Sequence, residues 1–424
     1  MAISNRVSRV VSKATPTSDP NRLAVGLLML FLVLEYARPF YLAVLRLQMV
    51  IIVVMFLMWI AAKDRPWSGI LTAHVLFFVL NLQAIVFSEN NYAAYVTTRI
   101  MFGHLAIALG LSWVLANLSA FRKVAFAWLL VMGYLAVYGI AHNGQGPGAM
   151  VGDENDLALG CATAFPFAFY GFERLSGRRR WLCGLIVALL VTAIVVSFSR
   201  GGFVGLVAVG VYCWFASKHK IRGVVALVLV TILVVATASD EGRTGESYYD
   251  RLMSMFKTDE GTAEQRQFLW AVARNMWWVH PVLGVGGGNY TFLVGKYQPL
   301  DYEKPEFLER DWSGTVTHSF FFQILAEQGS VGAVLVLYIV WAHIQTIRRL
   351  RRRASSATGL PPDVQRDAHL YGGALGGAMI GLCAAGAFLS VAYYPYLWYF
   401  SAMVVALDTA VTREVARVES ATTT

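Results

Sequence analysis

Residues 181–216 read WLCGLIVALLVTAIVVSFSRGGFVGLVAVGVYCWFA. Two apolar runs, 181–198 and 202–216, meet at Ser199-Arg200-Gly201-Gly202 with almost no loop between them. A bilayer is crossed by about 20 consecutive apolar residues in a helix, and a helix satisfies its own backbone hydrogen bonds where water is absent. The stretch therefore predicts two membrane helices joined by a tight turn, with one arginine pinned at the turn.

Working outward, the same pattern recurs. Apolar cores lie at 23–40, 47–62, 68–87, 97–117, 124–141, 157–172, 181–198, 202–216, 221–238, 330–347, 370–391 and 395–411. The expectation is an all-α polytopic membrane protein of about 12 transmembrane helices. The first core is interrupted by Glu35 and Arg38 and reads as an uncleaved anchor. Composition agrees: of 424 residues 57% are hydrophobic and 14% charged, against about 25% charged in ordinary soluble domains. That excludes a disordered chain, a disulfide-stapled scaffold and a freely soluble enzyme. Cys161, Cys183, Cys213 and Cys383 all fall inside spans without metal-ligand spacing, so they read as small core residues and no disulfide is expected.

The basic residues orient the spans. With the N-terminus inside, the inner segments hold 23 Lys and Arg and the short outer turns only 4, Arg38, Arg46, Arg99 and Arg200. Such a bias places both termini in the cytoplasm. The net charge of +9 is thereby explained by topology, and no nucleic-acid partner is required. The run Arg348–Arg353 reads as a stop-transfer flank, with an anionic-lipid site as its other reading.

The chain divides into a membrane region, 1–238, a long external loop, 239–317, and a second membrane region, 318–424. In the loop a helix is expected from about Thr262 to Val279, with Arg266, Trp270, Ala273 and Trp277 on one face. Trp277 and Trp278 suit a membrane interface. The helix ends at His280-Pro281. The glycine run Gly284-Val285-Gly286-Gly287-Gly288-Asn289-Tyr290 follows, either a flexible turn or a cradle whose N–H groups approach an anion. A helix starting at His318 is too long for one span, and Gly329 is its natural break.

Four polar features could carry chemistry at the outer face. Arg200 is a snorkelling anchor or an anion-binding guanidinium. Arg266 is a surface charge or a second such group. His318, like His142 and His280, lies outside, and a neutral imidazole there is a candidate general base. Asp153-Glu154-Asn155-Asp156 is a capped helix start or, through Asp153 and Asp156, a site for a divalent cation. No metal and no cofactor are otherwise expected.

Taken in order, Ser199-Arg200-Gly201-Gly202, Arg266 with Trp270, His280-Pro281 through Gly288-Asn289-Tyr290, and His318 leading to Leu325-Ala326-Glu327-Gln328-Gly329 resemble the O-antigen ligase/polymerase superfamily of bacterial envelope glycan enzymes. The motifs cover roughly residues 200–332. The resemblance implies a GT-C-like membrane glycosyltransferase of the bacterial inner membrane with its active site facing the periplasm. It implies transfer of a glycan from an undecaprenyl-pyrophosphate carrier, with membrane lipids around it. As an O-antigen ligase, the acceptor would be lipid A-core; a polymerase would use a carrier-linked repeat, and relatives glycosylate protein serines. By resemblance the family's arginines fall on Arg200 and Arg266 and its histidine on His318, as general base. Gly286, Gly287, Asn289, Arg274, Arg99 and Arg38 are the expected substrate-binding residues. Two features leave the acceptor open. Ser319 stands where many members carry Asn, and Gly152-Asp153-Glu154-Asn155-Asp156-Leu157-Ala158 is similar to O-glycosylation ligases. A transporter is the alternative of a different class, but no internal repeat supports it.

Overall fold

The computed structural model describes residues 22–38, 46–148, 150–217, 220, 260–300 and 302–422. Among them the chain is helical apart from turns, short linkers and one isolated bridge between Gly148 and Val151. The helices are α1 Arg22–Leu32, α2 Leu47–Ala61, α3 Gly69–Phe87, α4 Asn91–Val114, α5 Leu118–Ala141, α6 Glu154–Arg174, α7 Gly177–Val196, α8 Arg200–Ala216, α9 Glu260–Val279, α10 Tyr290–Leu293, α11 Pro305–Glu309, α12 Phe320–Ser356, α13 Pro362–Gly386 and α14 Tyr396–Thr422. The protein is an all-α polytopic membrane protein.

Eleven of the twelve expected cores coincide with a helix; the core 221–238 and the loop residues 239–259 lie outside the described residues. Six helices, α3, α4, α5, α7, α12 and α13, are long and apolar enough to cross a membrane, and α2 and α8 are shorter apolar helices. The remaining expected spans differ for identifiable reasons. α1 gives way at Val33–Ala37 to a π-helical turn that contains Glu35 and ends at Arg38 in a left-handed conformation, φ 40°. α6 runs through the middle of the bundle, with Leu157–Ala168 buried on every side, so its surroundings are other helices. α14 continues well past the expected end, carrying a polar final third.

Small residues let these helices approach closely, as membrane interfaces require. Gly202 on α8 is the clearest case: a Cβ there would lie 2.2 Å from that of Ala158 on α6. The basic ends assigned to the cytoplasm meet one another through ion pairs, Arg122 of α5 with Asp363 and Asp367 of α13, and Arg349 of α12 with Asp408 of α14.

The described part of the expected loop, residues 260–300 and 302–317, is folded. Phe268, Leu269, Val272, Ala273 and Met276 of α9 bury against Val285, Tyr290, Leu293, Tyr297, Trp312 and Ala326, a second core that closes on α12. Its attachment to α12 is a main-chain exchange. At Gly329 the helix breaks, with φ 61° and ψ −162°. An unbroken helix would pair Ser330 N–H with Ala326 C=O and Val331 N–H with Glu327 C=O. Here Ser330 donates to Pro281 O at 2.9 Å and Val331 to Val282 O at 3.2 Å, while Val285 donates to Ala326 O and Gly286 to Glu327 O, each at 2.9 Å. The segment after His280-Pro281 has entered the break and satisfied all four freed groups, each of which would cost about 1–3 kcal/mol if buried unpaired.

Gly329 is indispensable to this arrangement. Its dihedrals lie where essentially only glycine goes, and a Cβ would stand 2.5 Å from Val282 O. Gly329→Ala is expected to cost at least about 1–3 kcal/mol, read as a lower thermal unfolding midpoint of the purified protein. Gly210→Ala on α8, where a Cβ meets nothing within 4 Å, should leave that midpoint in place. Equal midpoints for both variants would contradict the exchange.

Candidate active site

The candidate residues converge from four elements. Arg200 is the first residue of α8, set by its N-cap: Ser199 Oγ accepts the Gly202 N–H at 3.1 Å and donates to Asn155 Oδ1 of α6 at 2.7 Å. Phe198, just before that cap, is left-handed at φ 51°, which makes the turn from α7 into α8 possible in three residues.

Arg266 projects from α9, which lies along the outer half of α12. Trp270 Nε1–H donates to Thr317 O at 3.0 Å and its ring stacks on Phe322 at 5.1 Å. Further along, Trp277 Nε1–H donates to Ser330 Oγ at 3.0 Å. One turn before Trp270, the Arg266 guanidinium lies 5.9 Å from the ring of Phe388 in the α13–α14 linker. Burial and the neighbouring Arg200 guanidinium both push Arg266 below its ordinary value.

His318 precedes α12 and is not its first turn, which corrects the expected helix start. The helix begins at Phe320, because His318 is left-handed at φ 50° and its N–H is taken by Ser390 Oγ at 2.8 Å. Thr317 Oγ1 also bonds Ser390 Oγ, at 3.1 Å, and donates to Ser319 O at 2.9 Å. The imidazole is half-buried. Burial, then Arg266, push it below the ordinary histidine value, and Asp153 pushes the other way. The other two outer histidines are committed: His142 stacks on Tyr138 at 3.8 Å, and His280 bonds the Tyr297 hydroxyl at 2.9 Å. Neither ring nitrogen of His318 has a hydrogen-bond partner among the described residues.

Arg200 opens α8, where the helix dipole favours an anion; Gly201 beside it packs on Leu389, and Arg266 lies over Phe388. His318, whose neutral form burial and Arg266 favour, is held by Ser390 of the same linker. That combination can bind phosphate oxygens bidentately and accept a proton.

The other expected binding residues are placed differently. Asn289 is buried and spent on the backbone of Asn90, accepting its N–H at 2.9 Å and donating to its O at 3.3 Å. A Cβ at Gly286 would stand 2.7 Å from Ser88 Cβ, and one at Gly287 2.6 Å from Asn81 Oδ1. The glycine run thus packs against α3 and the start of α4, which favours neither the flexible turn nor the open cradle. Its end is fixed by Glu327, buried in the break, whose Oε1 accepts the Tyr290 N–H at 2.9 Å. Arg274 and Arg99 are exposed, and Arg38, also exposed, lies against Gly148. Among the described residues no hydrogen bond or ion pair joins these three to Arg266 or His318.

Asp153 caps α6, accepting the Asp156 N–H at 2.8 Å, and Asp156 Oδ1 accepts the Tyr394 hydroxyl at 2.8 Å. Among the described residues no group of three or more His, Cys, Asp or Glu is placed to hold a metal ion. Reading the residues alone missed Phe388, Ser390 and Tyr394. Phe388 and Ser390 fall inside the expected core 370–391, but the helix ends at Gly386 and leaves them in the linker with Tyr394, and nothing in their spacing relates them to His318.

Residues 185–337 match the family model described as O-antigen ligase. The resemblance holds. That stretch contains Arg200, Arg266, His318 and both arms of the exchange at Gly329, and over it the chain is similar to the O-antigen ligase family. No curated protein matches the chain.

The influence of Arg266 on His318 has a signed consequence. Arg266→Ala removes a cation that disfavours imidazolium, so the His318 ring should titrate at higher pH than in the wild type. The ring is followed by NMR and assigned through His318→Ala. An unchanged midpoint would mean that the two side chains do not share a site.

Proposed function

We propose that the chain is an inverting, metal-independent glycosyltransferase that moves O-antigen glycan from undecaprenyl-pyrophosphate to lipid A-core at the periplasmic face of the inner membrane. The observation that carries this reading is the convergence of three elements on the α13–α14 linker: Gly201, next to Arg200, packs on Leu389, Arg266 lies over Phe388, and Ser390 takes the His318 N–H.

Arg200 and Arg266 grip the pyrophosphate and stay charged throughout. His318 takes the proton of an acceptor hydroxyl, and that oxygen attacks the anomeric carbon. The bond from that carbon to the pyrophosphate oxygen breaks, and the leaving group carries away the electron pair. Negative charge grows on the phosphate oxygens as the bond breaks, which is where the two guanidiniums gain most. Two fixed cations fill the role that a divalent ion plays in other phosphate sites. Attack opposite the leaving group inverts the carbon. A carrier with a lipid tail explains why a sugar transfer is built into a helical bundle, with the tail between helices and the pyrophosphate at their outer ends.

The acceptor is the finer part of the proposal, with a carrier-linked repeat or a protein serine as the alternatives within the same chemistry. The full chain in lipid nanodiscs, given undecaprenyl-pyrophosphate glycan, is offered lipid A-core, carrier-linked repeats and serine peptides together. Glycan should appear on lipid A-core, and His318→Ala should lower the rate by at least about 100-fold. Product on another acceptor replaces the acceptor assignment; wild-type rates in His318→Ala remove the base.

A further inference from the structure

The linker between α13 and α14 is short, yet its residues are tied to α6, α8, α9 and α12. Leu389 packs on α8, where a Cβ at Gly201 would stand 3.2 Å from its side chain, and the Arg266 guanidinium of α9 lies over Phe388. Past Ser390, the Ala392 N–H donates to Gln323 Oε1 of α12 at 3.2 Å and the Tyr393 hydroxyl accepts from Gln328 Nε2 at 2.9 Å. The Tyr394 hydroxyl donates to Asp156 of α6. Ser390 is therefore a fixed point, anchored on both sides in sequence.

What Ser390 holds is a left-handed backbone. A φ of 50° at a residue other than glycine costs free energy and persists only where its surroundings impose it. The protons show how they do so. Thr317 has one hydroxyl proton, and it goes to Ser319 O at 2.9 Å, an oxygen that can only accept. In the 3.1 Å contact between the two hydroxyls Ser390 is then the donor, while its oxygen accepts the His318 N–H at 2.8 Å. One chain results: His318 N–H to Ser390, Ser390 O–H to Thr317, Thr317 O–H to Ser319 O. It brackets His318 from the residue before and the residue after.

We propose that Ser390 is a positioning residue for His318, its hydroxyl holding the backbone conformation from which the imidazole meets the acceptor. This rests on the proposed transfer reaction, with His318 as the base. A hydroxyl suits the place because a single atom there accepts from an N–H and donates to another oxygen. An apolar side chain does neither. It leaves the His318 N–H without this partner and releases the backbone toward the ordinary helical and extended regions, which swings Cβ and the ring with it.

Threonine and valine are alike in shape and differ in the hydroxyl, so Ser390→Thr and Ser390→Val separate the hydrogen bonds from packing. In the full chain in lipid nanodiscs, given undecaprenyl-pyrophosphate glycan and lipid A-core, kcat should be roughly 10- to 100-fold lower in Ser390→Val than in Ser390→Thr. The KM for the glycan donor should be the same in both, because neither arginine is touched. A second readout needs no turnover. With the histidines isotopically labelled, the His318 amide and Cα signals, assigned through His318→Ala, should move in Ser390→Val and stay near their wild-type positions in Ser390→Thr. His318 signals at the same positions in both variants overturn the proposal. In a protein that transfers glycan, so does an equal kcat, or a difference confined to the donor KM. His318 signals that move in a protein transferring no glycan would uphold the positioning and overturn the transfer reading.

Discussion

The exchange of main-chain hydrogen bonds at Gly329 fixes how the described part of the long loop sits on α12. A helix with two missing internal bonds has four buried polar groups to satisfy, and such groups are tolerated at membrane depth only where protein supplies partners. Pro281, Val282, Val285 and Gly286 supply them. Glu327 adds a carboxylate to the same turn, and Trp277 bonds Ser330 at the break itself. From there α9 has one course, back along the outer half of α12, and Trp270 locks it to Thr317. The place of Arg266 on α9 thus depends on bonds made more than ten residues away in sequence.

The electrostatics follow from that placement. Burial and Arg200 lower the affinity of Arg266 for its proton, and burial and Arg266 lower that of His318. Helix packing keeps the charges from separating. The close approach of Gly202 to Ala158 holds α8 on α6, and Ser199 is tied to Asn155. Such preorganisation is what makes fixed charges effective when charge develops on a departing phosphate.

Much of this was legible in the sequence. Apolar periodicity located eleven helices, because a span needs no partner to declare itself. The helix carrying Arg266 began at Glu260, close to the expected Thr262, and ended at Val279 as His280-Pro281 required. Gly329 was recognisable as a break from length alone. The ordered arginines and histidine were legible only together, through their resemblance to a family. What stayed hidden depends on contacts across the chain. Asn289 looked like a ligand for substrate, but its partner is Asn90, 199 residues away. The glycine run looked open because glycine says what a backbone can do and not what lies against it. Ser390, on which the backbone at His318 depends, had no pattern to mark it.

The central claim is that Arg200 and Arg266 act on one anion as a single unit. It is tested most directly by a double-mutant cycle on glycan transfer with Arg200→Lys, Arg266→Lys and the pair. Residues that act as a unit are strongly non-additive. The account predicts that the double variant is about as slow as the slower single variant. Rate losses that simply multiply would show two independent sites and contradict it.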